Sequence, residues 1–487
     1  MNAGTGGVGM SEDAADGARA ARVERHSIDF IPLGERHGKP WHQLPFWFSG
    51  GAVLTSVTVG FIGPSIGLGL AWSLVAVILG LAFGTVFMAL HANQGPRLGI
   101  PQMIQSRAQF GYRGAIFSFI LAVAIYVSFV VITALFVRDL IDDVFAVNVG
   151  KWIYFLFVAA VLVIPIYGYD IVHLFNRWAG YLSVLIFIAM TILIAMYAGS
   201  HGTVAAASHG FSWAPFLVQF AAAAGYQASY VVYTSDYTRY LPHDVSAPRL
   251  IGYVYSGATL SPLWLGCIGV IVASYVSSPD PLASLQTIGN TELSGFGTFF
   301  LIFELPVFII VMSMCIYGAV VDAISAVDSV RRVKSTAGLR IGMAVGIGFV
   351  SALISTVLPA SLIADFETLL TFMLYLLIPW TAVNLVDYYL VRRGRYSVTE
   401  IFKPDGLYGS WSWRGLTAYA LGVVAMIPFY VLSFYEGPAA KALGGADISY
   451  VIGIAVGGLL YYFLARGLRG DVSAHNTPSA AVSGAET

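Results

Sequence analysis

Two acidic side chains interrupt a long apolar run between residues 298 and 327, with Glu304 in its first half and Asp322 in its second half. The run is long enough to cross a bilayer. A carboxyl group inside a membrane is costly and is usually retained for function, often to bind and release a proton. Asp322 is therefore a candidate for proton coupling and Glu304 is a second one, although the position of Asp322 also allows an ion pair with Arg331 or Arg332.

Aromatic and amide side chains concentrate at the end of another apolar run, residues 211–233. Tyr226, Tyr230 and Tyr233 are spaced i, i+4, i+7 and therefore share one helical face, and Gln227 lies beside them. Such a face can stack on a flat ring and donate hydrogen bonds to its edge. A tyrosine stripe also occurs where helices simply pack, so the pattern alone leaves both interpretations open.

These residues belong to about twelve apolar runs, which we number as spans 1 to 12. Most of them reach the ~20 residues that cross a hydrocarbon layer ~30 Å thick. The predicted spans are residues 44–66, 68–90, 112–137, 152–168, 179–199, 211–233, 250–275, 298–327, 341–358, 362–390, 415–435 and 448–465. The sequence thus predicts an all-α, polytopic membrane protein.

Basic residues alternate between the two sides of these spans. Of the 25 Lys and Arg residues, all but Arg138, Lys151 and Lys441 fall on one side. Positive charge is enriched in cytoplasmic loops. The asymmetry therefore predicts an even number of spans and cytoplasmic N and C termini, in an inner or plasma membrane.

The composition agrees with this interpretation. Charged residues make up 10% of the chain, against ~25% in soluble domains, and hydrophobic residues make up 57%. The net charge of −1 suggests no nucleic-acid partner, and Cys267 and Cys315 fall inside spans, which argues against a disulfide or cysteine metal site. We expect cytoplasmic tails without fixed structure at 1–40 and 467–487. They flank a twelve-helix membrane domain at 41–466, which we expect to act as a monomer.

Spans 1 and 6 have weak helical sequences. Gly50, Gly51, Gly60, Gly63 and Pro64 cluster in span 1, and span 6 becomes polar after a run of small residues. A break is tolerated in a membrane helix where it is buried in protein or lines a cavity. We therefore predict a break in span 1 near residues 55–63 and another in span 6, although glycine and proline can also serve close helix packing alone.

Breaks five spans apart are what two inverted repeats of five helices would produce. The repeats would cover residues 44–199 and 211–390, with additional helices in 415–465. Transporters of this design bind their substrate at mid-membrane between the two broken helices. A six-plus-six arrangement is the rival fold, but it predicts a long central loop, and the connection between spans 6 and 7 is short.

Four separated segments together resemble the nucleobase:cation symporter-1 family, in particular its purine-cytosine permease branch. The segments are WFSGGAVLTSVTVGFIGP (47–64), RAQFGYRG (107–114), YTSDYTRYLP (233–242) and IPWTAVNLVDYYLVRRGRY (378–396). The resemblance implies a twelve-helix transporter with a five-plus-five inverted repeat. It also implies import of a nucleobase or a related small heterocycle by cation symport, with alternating access and without an organic cofactor.

The resemblance also suggests where the substrate binds. Similar transporters hold a flat ring between an aromatic residue of span 3 and another of span 6, which correspond to Phe129 and to one of Tyr226, Gln227 or Tyr230. Thr133 stands where the fungal branch has an amide. In span 1, we expect Ser49 or Ser56 to face the cavity.

The chain departs from the family in span 8. Relatives carry an asparagine there that hydrogen-bonds the base, often preceded by proline, whereas this chain has Tyr317 and Gly318. An amide offers both donors and an acceptor to a base edge, so its loss weakens the argument for a nucleobase. Another ring compound, such as allantoin, a hydantoin or pyridoxine, becomes the alternative substrate.

The coupling ion is open between a proton and sodium. In sodium-dependent relatives the ion lies between backbone carbonyls of span 1 and two hydroxyls of span 8. Hard cations require oxygen ligands, and Ser313 is the only small hydroxyl residue within 310–320. With Asp322 on the same span, the sequence favours a proton.

Two other functional classes are disfavoured. A channel would need a continuous polar stripe or charged rings along a pore, whereas the polar residues here concentrate at a few positions. A membrane enzyme would need a catalytic group of residues, and the spans contain no HExxH motif, paired cysteines or Ser/His/Asp group. Transport therefore remains the leading interpretation.

Overall fold

The computed structural model describes residues 28–470, apart from residue 168 and residues 204–209, 277, 279, 334–335 and 359–361. Most of the two predicted tails, 1–27 and 471–487, lies outside the described residues. The domain boundary at residue 40 stays a prediction, and residues of the segment from 28 to 40 contact the helical part of the chain. Ile31 is buried and its N–H donates to Gly99 O at 2.9 Å, and Arg36 donates to Pro96 O at 2.6 Å.

Helices make up most of the described chain. Outside spans 1 and 6, the helices that correspond to the predicted spans are Leu70–Ala92, Ile116–Phe145, Ile153–Tyr167, Tyr169–Ser200, Ala247–Tyr275, Phe296–Val330, Ala337–Val357, Leu362–Leu385, Trp413–Met426 and Ser449–Ala465. A π-helical turn, Val386–Val391, follows span 10, and a helix outside the spans, Pro281–Glu292, joins spans 7 and 8. The all-α membrane architecture is confirmed.

The count of twelve spans stays a prediction. In the part of the chain that the structure describes, eight helices are long and apolar enough to cross a bilayer, and a bent helix pair would make a ninth span. Ile153–Val163 and Trp413–Phe429 are shorter apolar helices. Span 11 ends earlier than predicted, because a 3₁₀ turn containing Pro428 is followed by a short hairpin that pairs Val431–Leu432 with Tyr435–Glu436.

Span 1 is broken, as the sequence predicts. It consists of half-helix 1a, Gln43–Gly51, and half-helix 1b, Leu54–Ser65, which meet at a bend of 62°. The break lies at residues 52–53, ahead of the predicted segment. A β-carbon on Gly51 would lie 2.6 Å from Ser261 Oγ of span 7, so this glycine permits a close approach of the two helices at the break.

Span 6 is also discontinuous. Its α-helix, Trp213–Ala228, passes into a 3₁₀ turn, Ser229–Val232, and a last short helix, Thr234–Thr238, follows. Tyr233 separates the last two elements with φ −135° and ψ 9°. The three tyrosines that would share one face of a continuous helix are therefore divided by the break. Tyr226 lies in the α-helix, Tyr230 in the 3₁₀ turn and Tyr233 directly after it.

The packing has the symmetry of an inverted repeat. Half-helix 1b packs on span 7, and span 6 packs on span 2. Likewise span 4 packs on span 8 and span 9 on span 3, while spans 3 and 8 pack on each other. Exchanging spans 1 to 5 with spans 6 to 10 reproduces these pairs. Together with the structural comparisons below, this confirms the five-plus-five fold.

Candidate functional site

Tyr226 joins the two broken helices. It lies in the last turn of the span 6 α-helix, is 1% exposed, and its hydroxyl lies 2.9 Å from Ser56 Oγ and 3.1 Å from Thr55 Oγ1, both on half-helix 1b. Tyr230 donates to the same phenol oxygen at 3.2 Å. Span 6 and the start of half-helix 1b therefore meet through side-chain hydroxyls.

The donor directions in this group follow from one further contact. Ser56 donates to Gly51 O at 2.8 Å, across the break in span 1. Each hydroxyl has one hydrogen to donate, so Tyr226 donates to an oxygen of half-helix 1b and accepts from Tyr230. We call this series, from Tyr230 through Tyr226 and Ser56 to Gly51 O, the hydroxyl chain.

Phe129 of span 3 faces the hydroxyl chain. Its half-buried ring meets the Tyr226 ring edge-on, with 6.4 Å between the centroids and 70° between the planes. Tyr230 is also half-buried. One turn after Phe129, Thr133 is fully buried, and its hydroxyl has no hydrogen-bond partner within the described chain. The structure thus brings Phe129, Tyr226, Tyr230 and Ser56 together.

An aromatic layer continues this group along span 6. Trp47 of half-helix 1a lies edge-on to Tyr230, with centroids 6.4 Å apart, and stacks on Tyr233 at 6.1 Å. Tyr126 of span 3 stacks on Tyr233 at 5.8 Å. Rings from spans 1, 3 and 6 therefore meet directly beside the hydroxyl chain.

Tyr126 is a site residue that the sequence interpretation missed. A β-carbon on Gly318 would lie 2.5 Å from Tyr126 Cζ and 2.7 Å from its hydroxyl oxygen, so the phenol covers this glycine. Tyr317 is half-buried and packs against the main hydrophobic core. The available signal was the i,i+3 spacing between Tyr126 and Phe129, which places both on one side of span 3.

Three predicted residues point elsewhere. Gln227 donates to Ala258 O of span 7 at 2.6 Å, so its amide serves packing between spans 6 and 7. Ser313 lies near Val161 O of span 4 at 2.9 Å and Ile309 O of its own helix at 2.6 Å, and it therefore faces away from span 1. Ser49 packs against Gly180 of span 5.

Ser49 also lines a small cavity next to the break in span 1, which we call the break cavity. Val53 and Ser183 face it from spans 1 and 5, and Val307 and Ile310 face it from span 8. The side chains from span 8 are apolar. The described residues also contain no cluster of His, Cys, Asp or Glu that could hold a metal ion.

The two carboxyl groups of span 8 lie in opposite halves of the helix Phe296–Val330. Asp322 is 5% exposed, and it and Asp236 lie close enough to the Tyr126 phenol to interact electrostatically. Glu304 is fully buried and faces the start of half-helix 1b. Asp322 therefore belongs to the aromatic layer, whereas Glu304 lies on the other side of the site.

The family-like segment 107–114 fastens the connection between spans 2 and 3 to neighbouring helices. Arg107 pairs with Asp328 of span 8 at 3.1 Å, and the Tyr112 hydroxyl donates to the same carboxylate at 2.8 Å. Burial raises the pKa of the Tyr112 phenol, which therefore keeps its proton. Gln109 donates to Asp387 at the end of span 10 at 2.8 Å. The motif thus has a structural role.

Residues 30–453 match a family described as permeases for cytosine/purines, uracil, thiamine and allantoin. YxlA of Bacillus subtilis, classed among purine-cytosine permeases, is 36% identical over 455 residues, which cover 91% of this chain and 96% of YxlA. An allantoin permease of the same species is 24% identical and covers 90% of this chain and 92% of its own.

A fungal relative and a solved structure extend the comparison. The purine-cytosine permease fcyB of Emericella nidulans is 22% identical, covering 92% of this chain and 89% of its own. Among solved structures, Mhp1, a nucleobase-cation-symport-1 family transporter in a closed conformation with bromovinylhydantoin bound, matches with a TM-score of 0.69 at 17% identity. The match covers 92% of this chain and 96% of Mhp1. At this identity the match concerns the fold.

Proposed function

Because the chain belongs to the family of permeases for cytosine/purines, uracil, thiamine and allantoin, we propose that it imports a nucleobase, cytosine or a purine, by cation symport. It is a membrane transporter and not an enzyme. The observation that carries the proposal is the Tyr226 hydroxyl, which connects the two broken helices opposite Phe129. We further propose that both termini are cytoplasmic and that a monomer in the inner or plasma membrane performs transport.

A nucleobase suits this arrangement chemically. It is flat, neutral and polar at its edge, and it requires aromatic surface with a few hydrogen-bonding groups. In our proposal the base lies between Phe129 and the rings of Tyr226 and Tyr230. Ser56 and the unpartnered Thr133 hydroxyl are the groups that can bond its edge. Gln227 is directed to span 7, which supports a role in packing. Ser49 lines the break cavity, which supports a role there.

We propose a proton as the coupling ion. Sodium would need several oxygen ligands, and the hydroxyl of Ser313 is directed to span 4. Asp322 is a buried carboxyl group beside the aromatic layer, where a change of its charge would act on the Tyr126 phenol. Its protonation is thus our first candidate for coupling.

A second candidate substrate is a non-aromatic ring such as allantoin. The covered Gly318 supports it, because this position offers no amide to a base edge. The allantoin permease relative supports it as well. Such a substrate would use the same hydroxyl groups but gain less from stacking.

A competition panel distinguishes these substrates. Labelled cytosine, hypoxanthine, adenine, uracil, allantoin and pyridoxine are offered to cells that express the protein, with and without sodium and at several pH values. We expect saturable uptake of at least one nucleobase, faster at acidic pH, independent of sodium and abolished by an uncoupler. Transport of allantoin alone would select the second candidate, and strict sodium dependence would refute proton coupling.

A further inference from the structure

Glu304 is a buried acid that substrate binding, as proposed above, does not use. Its side chain is 0% exposed, and its carboxyl group faces the backbone N–H of Leu54. Neither oxygen reaches a donor with hydrogen-bonding distance and geometry within the described chain. An isolated buried carboxylate is costly, and in a membrane helix such groups are usually functional. The position of Glu304 therefore calls for a functional explanation.

Leu54 begins half-helix 1b, which is 12 residues long. The first N–H groups of a helix have no partner within it, and the helix dipole places partial positive charge at this end. Glu304 thus points at the end of the broken helix that attracts negative charge. An ionised carboxylate is drawn toward half-helix 1b, whereas a protonated carboxyl group is attracted much less.

The break cavity lies next to this contact. Val307, one turn from Glu304, lines it from span 8, and Ser49 and Ser183 line it from the other side. The Ser183 hydroxyl is buried without a hydrogen-bond partner in the described chain. A metal ion here would face apolar side chains of span 8 and the positive end of a helix, whereas it requires several oxygens. The cation that fits Glu304 is a proton.

Other charged groups on the neighbouring elements interact with each other. Arg138 pairs with Asp142 on span 3 at 3.5 Å, and Asp139 and Asp143 of span 3 interact with Asp280 at the start of the Pro281–Glu292 helix. None of these charged groups interacts electrostatically with Glu304. Tyr154 of span 4 interacts with Arg138, Arg340 belongs to span 9, and Glu292 ends the Pro281–Glu292 helix. On span 8 itself lie Cys315, Asp322 and Asp328. None of these groups interacts electrostatically with Glu304. Gly180–Ser200 of span 5 contains no acidic or basic residue.

We propose that Glu304 and the first turn of half-helix 1b form a proton-binding site that controls the position of the broken helix. The inference rests on the proton-coupled import proposed above and adds a second titratable group to span 8. Ionised Glu304 holds half-helix 1b against span 8. When the carboxylate binds a proton, the charge disappears, the attraction weakens, and the half-helix is released to move.

Transport by Glu304→Gln tests the role of the proton. Glutamine keeps the size of the side chain but cannot bind and release a proton in this range. In liposomes, the wild type should accumulate labelled cytosine about tenfold for each unit of pH difference across the membrane. Glu304→Gln should lose this accumulation yet still exchange internal for external cytosine at equal pH. Glu292→Gln, a matched change outside the site, should retain both activities.

A second measurement requires no substrate. The protein for this measurement carries Ser49→Cys, and its native Cys267 and Cys315 are replaced by serine. The rate at which the new cysteine reacts with a maleimide reports access to the break cavity. At each pH this rate is divided by the rate for free cysteine, which corrects for ionisation of the thiol. This ratio should change with pH when Glu304 is present and be constant in Glu304→Gln. A labelling ratio that is independent of pH both with Glu304 and with Glu304→Gln would overturn the proposal. So would a Glu304→Gln variant whose pH-driven accumulation equals that of the wild type. If the labelling ratio depends on pH only when Glu304 is present, but the wild type shows no pH-driven uptake, the proton-binding site at Glu304 is supported and proton-coupled import is refuted.

Discussion

Phe129 provides the simplest test of the site at the scale of single residues. Its half-buried ring stands 6.4 Å from that of Tyr226, and stacking of a base on an aromatic side chain is worth roughly 1–3 kcal/mol. Phe129→Ala should therefore raise the apparent KM for uptake by the order of tenfold or abolish uptake. Phe129→Trp should retain transport. A surface-expressed Phe129→Ala variant with unchanged kinetics would remove Phe129 from the site.

The Tyr126 ring occupies the space that a side chain at position 318 would need. The effect of a substitution at Gly318 should therefore depend on the residue at 126. An asparagine at 318, the residue type that the family resemblance leads us to expect, would place its β-carbon 2.5 Å from Tyr126 Cζ. Overpacking of this kind costs typically 1–3 kcal/mol. We expect Gly318→Asn alone to lose uptake, and Tyr126→Ala in the same chain to recover it with altered substrate preference. An active single variant would show that the two residues do not compete for space.

At the scale of elements, Gly51 determines how closely half-helix 1a approaches span 7. A β-carbon there would lie 2.6 Å from Ser261 Oγ and 2.8 Å from Pro262 Cδ, whereas one on the neighbouring Gly50 would meet nothing within 4 Å. Gly51→Ala should lower the melting temperature of the purified protein, because span 7 must move away. Gly50→Ala is the matched control and should not lower it. Equal melting temperatures for the two variants would contradict the packing at the break.

The sequence predicted the existence of the broken helices but not the direction of each side chain. Glycine and proline mark span 1 as weak, yet the break falls at residues 52–53, where Gly51 meets span 7. Gln227 and Ser313 have suitable chemistry, but the rotation of each helix, fixed by its neighbours, turns them toward spans 7 and 4. Tyr126 was missed because its role depends on Gly318, which is far away in sequence. Helical periodicity relates residues on one helix and carries no information about the partner helix.

At the scale of the whole molecule, the distribution of basic residues predicts orientation. The connection between spans 2 and 3, the end of span 8 and the end of span 10 are joined through Arg107, Asp328, Gln109 and Asp387. These contacts lie on the side where Lys and Arg predominate, which we expect to be cytoplasmic. A fluorescent protein fused after residue 470 should therefore fluoresce, and alkaline phosphatase fused after Lys151 should be active. A fusion after residue 470 without fluorescence, together with an inactive phosphatase fusion after Lys151, would show that the predicted topology is inverted.

The hydroxyl chain has a consequence for selectivity. A binding site rejects an imperfect ligand strongly when that ligand leaves buried polar groups of the protein unpaired. In the site that we propose, Tyr230, Tyr226 and Ser56 already bond one another, and the series ends on Gly51 O. A ligand that lacks one donor or acceptor leaves them as they were, so it incurs little penalty. Such a transporter selects by ring shape more than by edge chemistry, and a cell that carries it would take up toxic ring analogues along with the nutrient.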